Sequence, residues 1–290
     1  MKTILLTGAG GFVGARIAHH LKDRYELITF PRGMLAKAAA EDVYAFAMER
    51  RPDAIIHTAA IADMGECEKD PEGSFRANVL LTQSLCRAAN ALGVQIACYS
   101  SDQVYNGCRP QDGPYSENTP LSPVNTYGRH KLEAEERGLA ACPHAVMLRA
   151  TWMYDLPGDG LPIRGNLLCN LLEQAKENRA AHFSVRDYRG ITYVRQVAEW
   201  TEQALSLPGG AYNFGSPNTR NMYETACDAL RALGLSEALA VPDEAADDRC
   251  LAMTPDKLNA CGIVFDSTQE GFARCVRQAA SYCKAVENGI

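Results

Sequence analysis

Residues 3–23 read TILLTGAGGFVGARIAHHLKD, and this stretch decides the fold. A short β-rich apolar run, Thr3–Thr7, leads into glycines at 8, 11 and 14, and an amphipathic helical pattern follows. Strand, glycine turn and helix in that order suit a dinucleotide pyrophosphate. Gly8 makes the sharp turn off the strand, Gly11 lets a phosphate approach the backbone, and Gly14 permits close packing of helix on strand. The phosphates then sit over the positive end of the helix starting near Phe12.

The same rhythm continues outward. Apolar runs at Glu26–Phe30, Ala54–Thr58, Gln95–Ser100 and Ala145–Arg149 read as further strands. Helical patterns at Gly11–Lys22, Glu41–Arg50, Pro71–Leu92 and Pro123–Leu139 separate them. Such alternation predicts an α/β fold, a doubly wound parallel sheet of Rossmann type covered on both faces. Nearly continuous apolar strand cores such as AIIHTAA agree with double coverage. After Thr151 the rhythm breaks into the Gly- and Pro-rich stretch YDLPGDGLPIRGN. Helices over Leu167–Asn178, from Tyr193, over Tyr223–Leu233 and over Ser267–Ala285 follow, with a short segment at His182–Arg189. The expected division is a dinucleotide-binding domain over 1–151 and a smaller α/β substrate-binding lobe over 152–290. A segment near 185–215 is expected to return to the first domain.

Composition narrows the function. The 290 residues are 47% hydrophobic, enough for a full core. With 29 Lys plus Arg against 35 Asp plus Glu, the net charge is −6. No basic block appears, which argues against a nucleic-acid or anionic-membrane partner. The apolar run of MKTILLTGAG is too short for a signal peptide, and no run is long enough for a membrane span. Eleven cysteines without framework spacing point to reduced thiols in a cytoplasmic protein. Neither they nor the six histidines have zinc-site spacing.

The end of the second strand should carry the residue that reads the adenosine ribose. ELITFPRG offers Arg32 and no carboxylate, which favours NADP, through its 2′-phosphate, over NAD. NAD remains possible. Downstream, NTYGRHKLEAEE places Tyr127 and Lys131 one helical turn apart. A free tyrosine, with a pKa of about 10, is a poor proton shuttle, and a neighbouring ammonium stabilises its phenolate. Upstream, IACYSSDQVYNG ends a strand in Ser100, Ser101 and Asp102 at the sheet edge. Ser101 can donate to a carbonyl oxygen that becomes anionic during hydride transfer. Asp102 can orient a sugar hydroxyl, assist the proton relay or cap the turn.

With these motifs in this order, the chain resembles the extended short-chain dehydrogenase/reductases, and most of all the dTDP-4-dehydrorhamnose reductase group. RPDAIIHTAA, ANVLLTQSLCRAANALG with Asn78, YSSDQVYNG, PYSENTPLSPVNTYGRHKLEAE and LRATWMY are similar to successive segments of that family. RGITYVRQVAEW and MTPDKL are weaker echoes. The resemblance implies Tyr127 as general acid, Lys131 as its partner and ribose anchor, and Ser101 as carbonyl ligand, with Asp102 beside it. It implies Gly8, Gly11, Phe12, Val13 and Gly14 at the pyrophosphate and Ala59 and Ala60 along the path to the nicotinamide. It also implies Trp152 near the nicotinamide and substrate, NADPH as hydride source, a nucleotide-linked 6-deoxy-4-ketohexose as substrate, and a homodimer.

Several positions depart from the family. Where an Asp-Lys dipeptide usually leads to Ala-Glu, this chain has Gly65, Glu66 and Cys67 and retains Glu68. A Leu-Asp pair becomes Leu35-Ala36, and a Gly-Ser-Pro-Thr segment shortens to Gly190-Ile191-Thr192. For a substrate diphosphate, Arg164, Asn166, Arg186, Arg189 and Tyr193 are candidates, with Arg186 and Tyr193 taken as substrate-binding. Trp152 and Tyr154 can stack on the sugar or nicotinamide, or pack in the core. Two other readings stay open: a nucleotide-sugar epimerase of the same superfamily, which would recycle NAD, and a non-catalytic NADP-binding subunit resembling the methionine adenosyltransferase β-subunit.

Overall fold

A computed structural model describes residues 1–30 and 39–287, with side chains to residue 280. Arg32 and the Leu35-Ala36 pair lie outside the described residues. The main sheet contains β1 (Thr3–Thr7), β2 (Glu26–Thr29), β3 (Ala54–His57), β4 (Gln95–Ser101) and β5 (Val146–Ala150). The next four strands, β6 (Trp152–Tyr154), β7 (Ala181–Ser184), β8 (Asp187–Arg189) and β9 (Ile191–Tyr193), lie outside it. β10 (Gly210–Phe214) rejoins it, and β11 (Ala240–Asp243) and β12 (Arg249–Leu251) do not. The six-stranded order is β10-β5-β4-β3-β1-β2, parallel throughout.

Strand alternation divides the core cleanly between the two faces. Ile4, Leu6, Ile56, Ala97, Val146 and Leu148 pack on one side with helix residues Phe12, Ile17, Val194 and Val197. Leu5, Ile55, Ile96, Cys98 and Met147 pack on the other with Val43, Ala47, Leu81 and Leu85. Every one of these is buried, as doubly covered parallel strands require. The chain runs from β1 to β2 on one side and returns to β3 on the other. The glycine turn after β1 therefore opens at a topological switch point, where α/β sheets leave a crevice.

The helical region read as Pro71–Leu92 is interrupted. Pro71–Phe75 and Leu81–Leu92 are α-helical, and Arg76–Leu80 between them is a π-helical turn. That turn presents Asn78 to the loop after β3: Asn78 Oδ1 accepts from the Ile61 N–H at 2.8 Å, and Nδ2 donates to the Ile61 carbonyl at 2.9 Å. Another helix, Met64–Lys69, precedes it, capped by Asp63 through the Glu66 N–H. The smaller lobe has its own core around Tyr154, Leu168, Leu171, Tyr193, Leu230 and Phe272. Among the described residues, no helix is long and apolar enough to cross a membrane.

Candidate active site

The C-terminal ends of β1, β3 and β4 line one long cleft of about 940 Å³. Gly8, Gly11, Phe12, Val13 and Gly14 form one end, Thr58, Ala59 and Ala60 the middle, and Ser101, Asp102, Tyr127 and Lys131 the other end. Trp152, Arg164 and Arg189 face it from the second half. Arg186 and Tyr193 do not line it. Arg186 is exposed and sits 3.8 Å from Asp248. Tyr193 is buried in the small lobe, its hydroxyl donating to Gln278 at 2.6 Å.

At the glycine end, a Cβ on Gly14 would stand 2.1 Å from the Gly8 carbonyl oxygen. Gly8 itself has φ +74, and a Cβ there would meet Thr58 Oγ1 at 2.5 Å. Helix and strand approach each other that closely only with glycine at both positions. The helix Phe12–Leu21 starts at Gly11 with no side-chain cap and no acidic residue in its first turn. Its uncapped positive end and the small-residue shelf at Ala59-Ala60 fit an anionic dinucleotide.

A buried polar chain fixes that shelf. His57 Nδ1 lies 2.7 Å from Thr7 Oγ1 and Nε2 lies 3.0 Å from Thr82 Oγ1. The Thr82 hydroxyl donates to the Asn78 carbonyl, so it accepts from His57 Nε2–H, and Nδ1 accepts from Thr7. Thr7 Oγ1 in turn accepts from the Ala59 N–H at 3.2 Å. Burial, with Lys131 nearby, pushes the His57 pKa from 6.5 down to about 3. The unfolded chain therefore binds a proton at His57 below pH 6.5 that the folded chain refuses until about pH 3. Stability from this group is complete above pH 6.5 and falls across that window, by about 2 kcal/mol at about pH 5. His57→Gln should flatten the decline of urea-unfolding free energy between about pH 7 and 5. An identical slope would refute the assignment.

The catalytic end is built on the helix Thr126–Ala141. Asn125 caps it through the Gly128 N–H at 2.7 Å, and the Glu68 carboxylate accepts from Thr126 N–H and Oγ1, each at 2.7 Å. A Cβ on Gly128 would sit 2.5 Å from the Gln103 carbonyl oxygen, so the helix start lies tightly against the turn after β4. This contact sets Tyr127 beside Ser101. Lys131 Nζ lies 5.7 Å from the Tyr127 ring centroid and donates to the Tyr99 carbonyl at 2.8 Å. Burial raises the Tyr127 pKa above its ordinary value, with the neighbouring Ser101 hydroxyl opposing the rise and Asp102 adding to it. The phenol therefore keeps its proton until an acceptor arrives. Burial lowers the Lys131 pKa to about 8.

Asp102 is held across the cleft. Its Oδ2 accepts from Arg189 Nη2 at 2.9 Å, with both groups largely buried. Arg189 also lies over Trp152, 5.5 Å from the ring. The pairing of Asp102 with Arg189, and the clamp of Glu68 on Thr126, were not readable from motifs. The partners stand 87 and 58 residues apart, and only the fold makes them neighbours.

Residues 1–278 match the family described as the RmlD substrate binding domain. The chain belongs to that family. The chain is 27% identical over 240 residues to the spore coat polysaccharide biosynthesis protein SpsK of Bacillus subtilis, covering 82% of each chain. It is 28% identical over 253 residues to methionine adenosyltransferase 2 subunit beta of Xenopus tropicalis, covering 80% of this chain and 72% of that one. Among solved structures, dTDP-4-dehydrorhamnose reductase from Bacillus anthracis in complex with NADP superposes with a TM-score of 0.83 at 20% identity. That match covers 96% of this chain and 99% of the other. RmlD-family membership and the sheet topology agree with the Rossmann-type fold expected from the glycine stretch.

Proposed function

We propose that this RmlD-family protein is an NADPH-dependent reductase of a nucleotide-linked 4-keto-6-deoxy sugar, with Tyr127 as general acid. The observation that carries this reading is the meeting of Ser101, Tyr127 and Lys131 at one end of a cleft whose other end is the glycine turn. NADPH, when bound, supplies the hydride. The N–H groups around Gly11, Phe12 and Val13 hold the pyrophosphate, and Ala59 and Ala60 line the path toward Lys131. Ser101 donates to the C4 carbonyl oxygen and orients it. Tyr127 gives its phenolic proton to that oxygen as it becomes an alkoxide. The Lys131 ammonium stabilises the phenolate left behind. Asp102, fixed by Arg189, orients a sugar hydroxyl beside Trp152.

Absorbance-monitored NADPH oxidation with dTDP-4-keto-6-deoxy-L-hexose tests the reading, alongside NADPH and NADH binding titrations on the same sample. Turnover supports it. Tight NADPH binding without turnover on this or other keto sugars would overturn it in favour of a regulatory subunit, the reading favoured by the kinship with the adenosyltransferase subunit.

The mechanism has a pH signature. Lys131 carries its charge below about pH 8 and loses it above. The kcat/KM for ketone reduction, which reports the free enzyme, should stay level at neutral pH and fall as pH rises through about 8. A profile level to about pH 10, the ordinary range of lysine, would refute the lowered Lys131 pKa as the source of the pH dependence.

A further inference from the structure

Resting on the cofactor reading above, we infer that Arg164 clamps the cofactor, its guanidinium closing over the phosphate on the nicotinamide side of NADP(H). The loop 155–165 that carries it is bolted to the glycine-turn helix. Arg16 Nε donates to Asp155 at 2.7 Å, and its Nη1 donates to the Pro162 carbonyl at 2.8 Å and to the Phe12 carbonyl at 2.7 Å. Arg195 pairs with Asp159 at 2.8 Å and holds the loop from its other side. Two residues past Pro162, the Arg164 guanidinium lies 5.2 Å from the centroid of the Phe12 ring. It lines the cleft and is near enough to Tyr127 to interact with it electrostatically. Arg164 thus stands between the helix N-terminus and the proton donor.

Charge distinguishes it from the other cations there. Arg189 is neutralised by Asp102, and Lys131 is committed beside Tyr127 with a hydrogen bond to the Tyr99 carbonyl. Arg164 has a ring contact and, among the described residues, no carboxylate partner. An anion between Phe12 and Tyr127 would complete it, since a guanidinium matches phosphate oxygens with paired donors. Stereochemistry selects which anion. A sugar presenting C4 to Tyr127 carries its diphosphate on C1, across the ring from the reacting carbon. The phosphate lying over the helix N-terminus belongs to the cofactor.

Fluorescence titration of wild type, Arg164→Ala and Arg164→Lys with NADPH, and with adenosine 2′,5′-bisphosphate, tests this. The second ligand lacks the nicotinamide-side phosphate. Arg164→Ala should raise the NADPH Kd roughly tenfold or more, with Arg164→Lys in between, as expected for loss of a charge-assisted phosphate contact. The bisphosphate Kd should stay within about twofold of wild type. Arg164 is exposed, so thermal unfolding of the free variants should match wild type. Unchanged NADPH affinity, or equal weakening of both ligands, would overturn the clamp. Failure of the wild type to bind NADPH would instead remove the cofactor reading beneath it.

Discussion

Tyr127→Phe should lower kcat for ketone reduction by about 10²- to 10⁴-fold, the range set by a lost general acid. NADPH affinity should stay within about twofold of wild type, because the ring and its packing remain. The size of the effect follows from the surroundings of the hydroxyl. Tyr127 is 8% exposed, and beside it stands Ser101, itself 8% exposed, whose hydroxyl opposes the rise in its pKa. Once the phenol is gone, Ser101 can still hold the carbonyl but has no acidic proton to give. Asp102 cannot substitute, since its carboxylate is committed to Arg189. A single-turnover measurement at saturating NADPH reads the step directly, and a loss below about threefold would place the proton donor elsewhere.

Arg149→Met should destabilise the fold by about 3–5 kcal/mol, measured as the shift in urea unfolding, because it leaves a buried carboxylate unpaired. Arg149 on β5 and Glu135 on the catalytic helix are 5% and 3% exposed. Arg149 donates to Glu135 through Nε at 3.1 Å and Nη2 at 2.7 Å, and through Nη1 to the Tyr105 hydroxyl at 2.7 Å. Ser100 on β4 also donates to Glu135. The double variant Arg149→Met/Glu135→Leu should recover much of the loss, since no isolated charge remains inside. Failure to recover would mean that the Tyr105 and Ser100 contacts, rather than the orphaned charge, dominate. Glu135 lies one turn beyond Lys131, so the single variant should also loosen the helix that presents Tyr127 and Lys131.

The strands before residue 151 were legible because each is a short apolar run closed by a turn or cap, and their ends fall within a residue of the sequence reading. The π-helical turn was not legible. ANVLL continues an apolar helical pattern, and a shift in backbone hydrogen bonding leaves that periodicity intact. The helix Met64–Lys69 did carry a signal in Asp63 and Glu66, an N-cap residue three before an acid, although its six residues form too short a period to stand out. Within the segment near 185–215 expected to return to the first domain, no strand was read at Gly210–Phe214, because GAYNF has no apolar run of its own and gains burial only by pairing with β5. In the site, the residues that sit on motifs were nameable, whereas the arginine that meets Asp102 was one of several in the second half. Which of Arg186 and Arg189 faces the cleft depends on the register of β8 against β12, a long-range pairing that no local pattern encodes.

The sixth strand has a consequence for how this chain can be divided. β10 comes from residues 210–214, yet it covers the free edge of β5, and the helix Val194–Ala204 shields the sheet face that Phe12–Leu21 shields only in part. Cutting after residue 151 would strip a strand from the sheet margin and uncover Leu148, Val146 and Ala97 on one face. Such a margin is a template for intermolecular pairing. The two halves are therefore interlocked through the chain path itself, and recombination that exchanges one substrate lobe for another must bring its own margin strand and covering helix with it.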